Sequence, residues 1–113
     1  MDEKELSLTP SQVSALQEIR QRLRAKFNIA ALTLYGSAAR GETDDESDID
    51  LLVLTVEPLS RLERHRITDI VFHVNLEHGT NFSTLVVDAR SWQVGPLSVL
   101  PIRGFVDSEG IPV

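Results

Sequence analysis

The chain has no cysteine. That excludes a disulfide framework and thiolate chemistry, and it fits a reducing compartment. It also lacks an excess of positive charge. Eleven Lys and Arg stand against seventeen Asp and Glu, giving a net charge of −6 and a pI near 4.9. A protein that tracks nucleic acid along its phosphates needs a basic patch, so this balance argues against long DNA or RNA as a substrate. No apolar run approaches the roughly 20 residues that span a bilayer. Met1 to Leu8 is acidic and polar, without the apolar centre of a signal peptide. The expectation is a cytoplasmic protein with no membrane association. Repeats, low-complexity tracts and linkers are absent too, and 113 residues suit one domain, 1–113.

Helical and strand periods alternate along the chain. Thr9-Pro10-Ser11-Gln12 reads as an N-cap, a first-turn proline and a capping-box glutamine. Val13, Leu16, Ile19, Leu23 and Phe27 then recur at helical spacing, so a helix is predicted to end near Asn28. Arg20, Arg22, Arg24 and Lys26 toward its end read as a solvated face favoured by the helix dipole. Ile29 to Tyr35 reads as a short strand broken at Gly36-Ser37, and Ala38 to Glu46 as an exposed turn or half-helix. Ser47 to Leu54 is a second strand, apolar at every position of its tail, as expected where both faces are covered. Leu62 to His78 is predicted as a helix with Ile67, Ile70, Val71, Val74 and Leu76 in the core and Gly79 as its C-cap. Phe82 to Val87 reads as a third strand, and Pro96 to Glu109 as a final helix, irregular at Pro101 and Gly104 and stopped by Gly110. The alternation predicts an α/β architecture.

Two short segments carry chemistry. Asp48 and Asp50 are two apart at the start of a strand, so they point to one face while Ile49 points to the other. Two carboxylates there repel and lose solvation, and a divalent cation compensates both effects. Oxygen-only ligands suit magnesium or manganese. Gly36 directly follows a strand, where backbone N–H groups can form an anion-binding concavity. The Ser37 hydroxyl can donate to a phosphate oxygen, and Arg40 can neutralise a phosphate charge. A phosphate grip beside a metal site is what phosphoryl transfer requires.

Ten residues separate Ser37 from Asp48. Gly-Ser, ten residues, then Asp-x-Asp resembles the signature of the DNA polymerase β-like nucleotidyltransferase superfamily. The fuller string Gly36-Ser37-Ala38-Ala39-Arg40-Gly41, then Ser47-Asp48-Ile49-Asp50-Leu51-Leu52-Val53, is similar to the minimal nucleotidyltransferases of bacteria and archaea. The resemblance extends over most of the chain. It implies a small mixed β-sheet flanked by helices, with ATP or another nucleoside triphosphate as substrate and magnesium as cofactor. It implies transfer of a nucleoside monophosphate to a hydroxyl of a protein or small-molecule acceptor, with loss of pyrophosphate. By the same resemblance, Gly36 and Ser37 match the phosphate-binding pair, and Asp48 and Asp50 the first two metal-binding carboxylates. Many such proteins are antitoxins paired with a helical HEPN-type toxin, some of which they modify with AMP.

The sequence departs from that pattern at the third carboxylate. The strand that would carry it places Ser83 at the corresponding position, and Asp88, five residues on, points to the opposite face by alternation. The alternative expectation is therefore an antitoxin-like binding module or nucleotide-binding pseudoenzyme with an incomplete metal site. Trp92 reads as a packing residue. His73 and Glu77, four apart on a helix, are a weaker metal pair.

Overall fold

The structure, a computed structural model, describes residues 8–36 and 48–113. Ser37, Arg40 and the predicted turn 38–46 lie outside the described residues. The first helix, α1 (Pro10–Lys26), opens as its sequence dictates: the Thr9 hydroxyl accepts from the Gln12 N–H, and the Gln12 side chain accepts from the Thr9 N–H. Leu16, Ile19 and Leu23 are fully buried, while Arg24 and Lys26 in the last turn are exposed. Strand β1 (Ile29–Tyr35) follows, then β2 (Ile49–Thr55). Helix α2 (Arg61–His78) carries a second capping box, Ser60 with Glu63, and ends on Gly79 in the left-handed conformation at φ 67°. Strand β3 (Phe82–Asp88) leads directly into a short helix, α3 (Ala89–Val94). A 3₁₀ turn (Pro96–Val99), helix α4 (Pro101–Glu109) and a two-residue strand, β4 (Ile111–Pro112), complete the described chain.

The four strands form one mixed sheet in the order β3-β2-β1-β4. β1 is antiparallel to both β2 and β4, and β2 is parallel to β3. Alternation along the strands sorts side chains to the two faces. Leu32, Leu34, Ile49, Leu51, Val53 and Phe82 pack against α1 and α2 in the larger core. Leu52 and Val87, with Trp92 and Val106, form a smaller core under α3 and α4, onto which Tyr35, Leu54 and Leu85 pack. Both faces of β2 are covered, which explains its continuous apolar tail.

Two expectations are corrected, and two short elements are additional to them. The irregularity expected at Pro101 is a full break, while Gly104 lies within a regular helix: residues 96–99 form a 3₁₀ turn, and Pro101 begins a new helix at its first position, where a missing N–H costs nothing. Leu76 is not in the core but 66% exposed, because α2 presents Ile67, Ile70, Val71 and Val74 to the sheet and turns Leu76 to the outer side. Helix α3 and strand β4 are too short for a periodic signal to appear in the sequence.

Arg103 fastens α4 to α3. Its guanidinium lies 5.5 Å from the centroid of the Trp92 ring, donates to the Trp92 carbonyl through Nη1, and reaches Asp107 Oδ2 through Nε at 2.8 Å. Trp92 is a packing residue, as expected, at 5% exposure. Arg103→Ala removes a cation–π contact and a hydrogen bond to a buried segment, and is expected to cost about 1–2 kcal/mol. Denaturant unfolding measures this; a change below the error of the midpoint would show that α4 docks without Arg103.

Candidate functional site

The first half of the candidate site is where β1 ends. Gly36 follows Tyr35 with φ 74°, a left-handed conformation that side-chain-bearing residues adopt only with strain. Space is as restrictive as the dihedral. A Cβ at Gly36 would stand 2.6 Å from Asp50 Oδ2. The turn after β1 and the Asp50 carboxylate are therefore in contact, although 14 positions apart in the chain (50 − 36).

Pairing explains how they meet. Tyr35 is level with Asp50 across the antiparallel pair, and Asp50 is level with Ser83 across the parallel pair. Residues level on neighbouring strands present their side chains to the same face. Tyr35, Asp50 and Ser83 thus form a transverse row at one end of the sheet, on the side that carries α3 and α4. Ile49 points into the opposite core and is fully buried, as the spacing predicts. Asp48 is exposed, immediately before β2.

The electrostatics of the row are unfavourable without a counterion. Partial burial, and after it the charge of Asp48, hold the Asp50 carboxyl above the usual aspartate range. Burial, and after it the charge of Asp50, likewise push the Tyr35 hydroxyl up. Each group disfavours negative charge on its neighbour, so the two aspartates lie close enough to interact. A hard divalent cation fits this donor set: two carboxylates, one of them partly desolvated, beside a backbone turn that no side chain can fill.

The third donor of the row is a hydroxyl. Ser83 stands beside Asp50 on β3, exposed, where the sequence register places it. Asp88 does not supply the missing carboxylate. It lies at the far end of β3, level with Thr55, and its side chain accepts from the Ser91 N–H at 3.0 Å as the N-cap of α3. Hydrogen bonding from the Ser91 side chain, and after it from the Ser91 N–H, keeps its carboxyl below the ordinary range. Asp88 is a structural cap.

His73 and Glu77 do not pair. His73 instead makes an edge contact with Phe72, with ring centroids 6.1 Å apart. Glu77 approaches His78 and Glu18, and among the described residues these three form the group of possible metal ligands. Glu18 is already engaged: His78 Nε2 lies 3.3 Å from its Oε1, and Arg22 Nη1 donates to its Oε2 at 3.4 Å. The group ties α1 to α2. Sequence periodicity could not have found it, since Glu18 and His78 are 60 residues apart.

Comparison with known proteins adds to this geometry. A family model for the nucleotidyltransferase domain matches residues 16–88, which include Gly36, Ser37, Asp48 and Asp50. A protein of Methanocaldococcus jannaschii, provisionally named a protein adenylyltransferase, is 34% identical over 104 residues, covering 88% of this chain and 67% of that protein. A solved structure provisionally described as that of a minimal nucleotidyltransferase superposes with a TM-score of 0.58 at 27% identity, over 89% of this chain and 92% of the other. A toxin–antitoxin crystal structure with AMP-PNP contains a chain of the same fold, with a TM-score of 0.60 at 20% identity, over 85% of this chain and 69% of that chain. The mixed sheet flanked by helices is the one these relatives share.

Proposed function

Because the chain belongs to the nucleotidyltransferase-domain family, we propose that it transfers a nucleoside monophosphate, AMP from ATP, to a hydroxyl of a protein acceptor. The observation that carries this reading is the contact between Gly36 and the Asp50 carboxylate, which puts a backbone position without a side chain beside the carboxylate at one end of the sheet. Asp48 and Asp50 would hold magnesium, or manganese in its place. The ion supplies charge neutralisation and polarisation at the phosphates. Gly36 lets the backbone approach the triphosphate, and Ser37 and Arg40, next along the chain, would contribute a hydroxyl donor and a positive charge. The acceptor oxygen bonds to the α-phosphorus, the bond from that phosphorus to the pyrophosphate oxygen breaks, and pyrophosphate leaves with the hydroxyl proton released to solvent. Incubation with ATP labelled at the α-phosphate, followed by recovery of label on protein, tests the reaction. Label found only in free AMP would contradict transfer to a protein hydroxyl.

Ser83 sets how strongly the site holds its ion. Two carboxylates and a hydroxyl carry less charge than three carboxylates would. Ser83→Asp places a third carboxylate one strand spacing, about 4.8 Å, from the Asp50 backbone, and is expected to tighten manganese binding on the order of tenfold. Calorimetric titration with Mn²⁺ measures it. Unchanged affinity would mean that the ion does not sit over this row.

A second reading is favoured by one surface. Val99 and Phe105 are 84% and 57% exposed, and Val94 and Leu100 beside them are exposed as well. Exposed apolar side chains on successive elements, α3 to α4, suit a partner that covers them. With toxin–antitoxin chains among its structural neighbours, this protein would act as an antitoxin-like module that masks a helical HEPN-type toxin, with transfer secondary or absent. Co-expression with any small helical protein found to be encoded beside it tests this: an assembly that survives Asp48→Asn but not Phe105→Asp supports masking through this surface.

A further inference from the structure

Strand β3 is an edge of the sheet among the described residues, and its hydrogen-bonding groups alternate in direction. The Asn81 carbonyl accepts from the Ile49 N–H on the β2 side. Alternation then turns the backbone groups of Phe82, Thr84 and Val86 outward. At Phe82 this is visible directly: its N–H donates to Asn75 Oδ1 and its carbonyl accepts from Asn75 Nδ2, at 2.9 and 3.0 Å. Asn75 therefore closes the edge at Phe82, and Thr84 and Val86 continue it as a ladder that is open among the described residues.

A groove of about 280 Å³ runs beside this edge on the α2 side, lined by Thr68, Val71, Phe72, Phe82, Ser83 and Thr84. Phe72 is 56% exposed at its rim, an exposure that the fold itself does not require. The groove meets the candidate site at Ser83, which is level with Asp50.

We propose that this edge is the acceptor subsite: an extended polypeptide segment pairs with Thr84 and Val86 as an added strand, seats an apolar side chain against Phe72, and presents a hydroxyl side chain over Ser83 toward Asp50. The proposal rests on the transfer reading and names how its acceptor binds. Strand alternation makes the two contacts compatible, because neighbouring residues of an extended peptide point to opposite faces. One enters the α2-side groove; the next, in register with Ser83, lies on the face of the Tyr35–Asp50–Ser83 row. The small side chain at position 83 leaves that path open. Main-chain pairing supplies affinity and the groove supplies selectivity for the apolar neighbour, the usual division in strand addition.

The test uses short fluorescent peptides with a central tyrosine, serine or threonine flanked by apolar residues, titrated into the full chain and followed by anisotropy. ATP–magnesium titration of the same protein runs in parallel. Phe72→Ala removes an exposed ring, and Thr84→Pro removes an outward N–H at an edge position that tolerates proline. Each is expected to weaken peptide binding about tenfold while leaving ATP binding unchanged. Hydrogen exchange should show the Thr84 and Val86 amides protected when peptide is added. Peptide affinity unaffected by both substitutions, no protection of those amides, or no peptide binding by a protein that binds ATP would each overturn the proposal. Peptide binding with the expected sensitivities, but no ATP binding, would leave the edge as a docking site and contradict the transfer reading instead.

Discussion

Replacing Asp48 and Asp50 together by asparagine is expected to abolish magnesium-dependent nucleotide binding, to lower any transfer by about 10³-fold or more, and to stabilise the metal-free protein. The loss follows from the role assigned to the pair: an ion that neutralises phosphate charge is worth several kcal/mol in the transition state, and each 1.4 kcal/mol is about a factor of ten. The gain follows from the Asp50 environment. Burial and the neighbouring Asp48 raise its carboxyl above the ordinary range. The folded chain therefore takes up a proton at Asp50 more readily than the unfolded chain, and metal-free stability falls as pH rises through that titration. Asparagine keeps the shape and removes the charge, so the double variant should melt higher than the native protein at neutral pH in chelator, and their difference should shrink in acid. Thermal melts with and without magnesium measure both effects. A double variant that melts lower in chelator would show that the carboxylates stabilise the fold rather than strain it.

Gly36→Ala should damage fold and site together. A left-handed residue with a Cβ costs roughly 1–2 kcal/mol, and here the Cβ would also meet Asp50 Oδ2 at 2.6 Å. Either the turn moves or the Asp50 side chain does. The expected result is a melting temperature lower by about 4 °C or more for each kcal/mol lost, with nucleotide affinity reduced beyond what partial unfolding explains. Gly79→Ala is the internal control. Gly79 has the same left-handed φ, 67°, but nothing within 4 Å of its Cβ position, so it should lose comparable stability and keep nucleotide binding. Equal loss of nucleotide binding in both variants would show that Gly36 serves only the backbone.

The sequence disclosed those parts of the molecule whose causes are local. Thr9 with Gln12 fixes the start of α1 through its own side chains, and Gly79 ends α2 through its own backbone freedom. The Asp-x-Asp spacing led to an expectation of two aspartates on one face of a strand; β2 itself begins at Ile49, and Asp48 stands immediately before it. Position 83 could be set opposite the expected third carboxylate by the family resemblance, and the parallel pairing of β2 and β3 makes it level with Asp50. What stayed hidden depends on distant contacts. The closeness of Gly36 to Asp50 requires the antiparallel register of β1 and β2, and the Asp88 capping role requires that β3 run directly into α3. Leu76 looked like core by its period, but the outer side of α2 is uncovered among the described residues, and periodicity does not say which elements are present to cover a face.

The central claim is that the Gly36 turn and the Asp48–Asp50 pair form one nucleotide–metal site. Isothermal titration of the purified protein with ATP, in magnesium and again in chelator, tests it most directly. Binding that requires magnesium and disappears in the Asp48→Asn, Asp50→Asn variant is the predicted result. Binding of equal strength in chelator, or retained by the double variant, would contradict a metal-bridged site at these carboxylates.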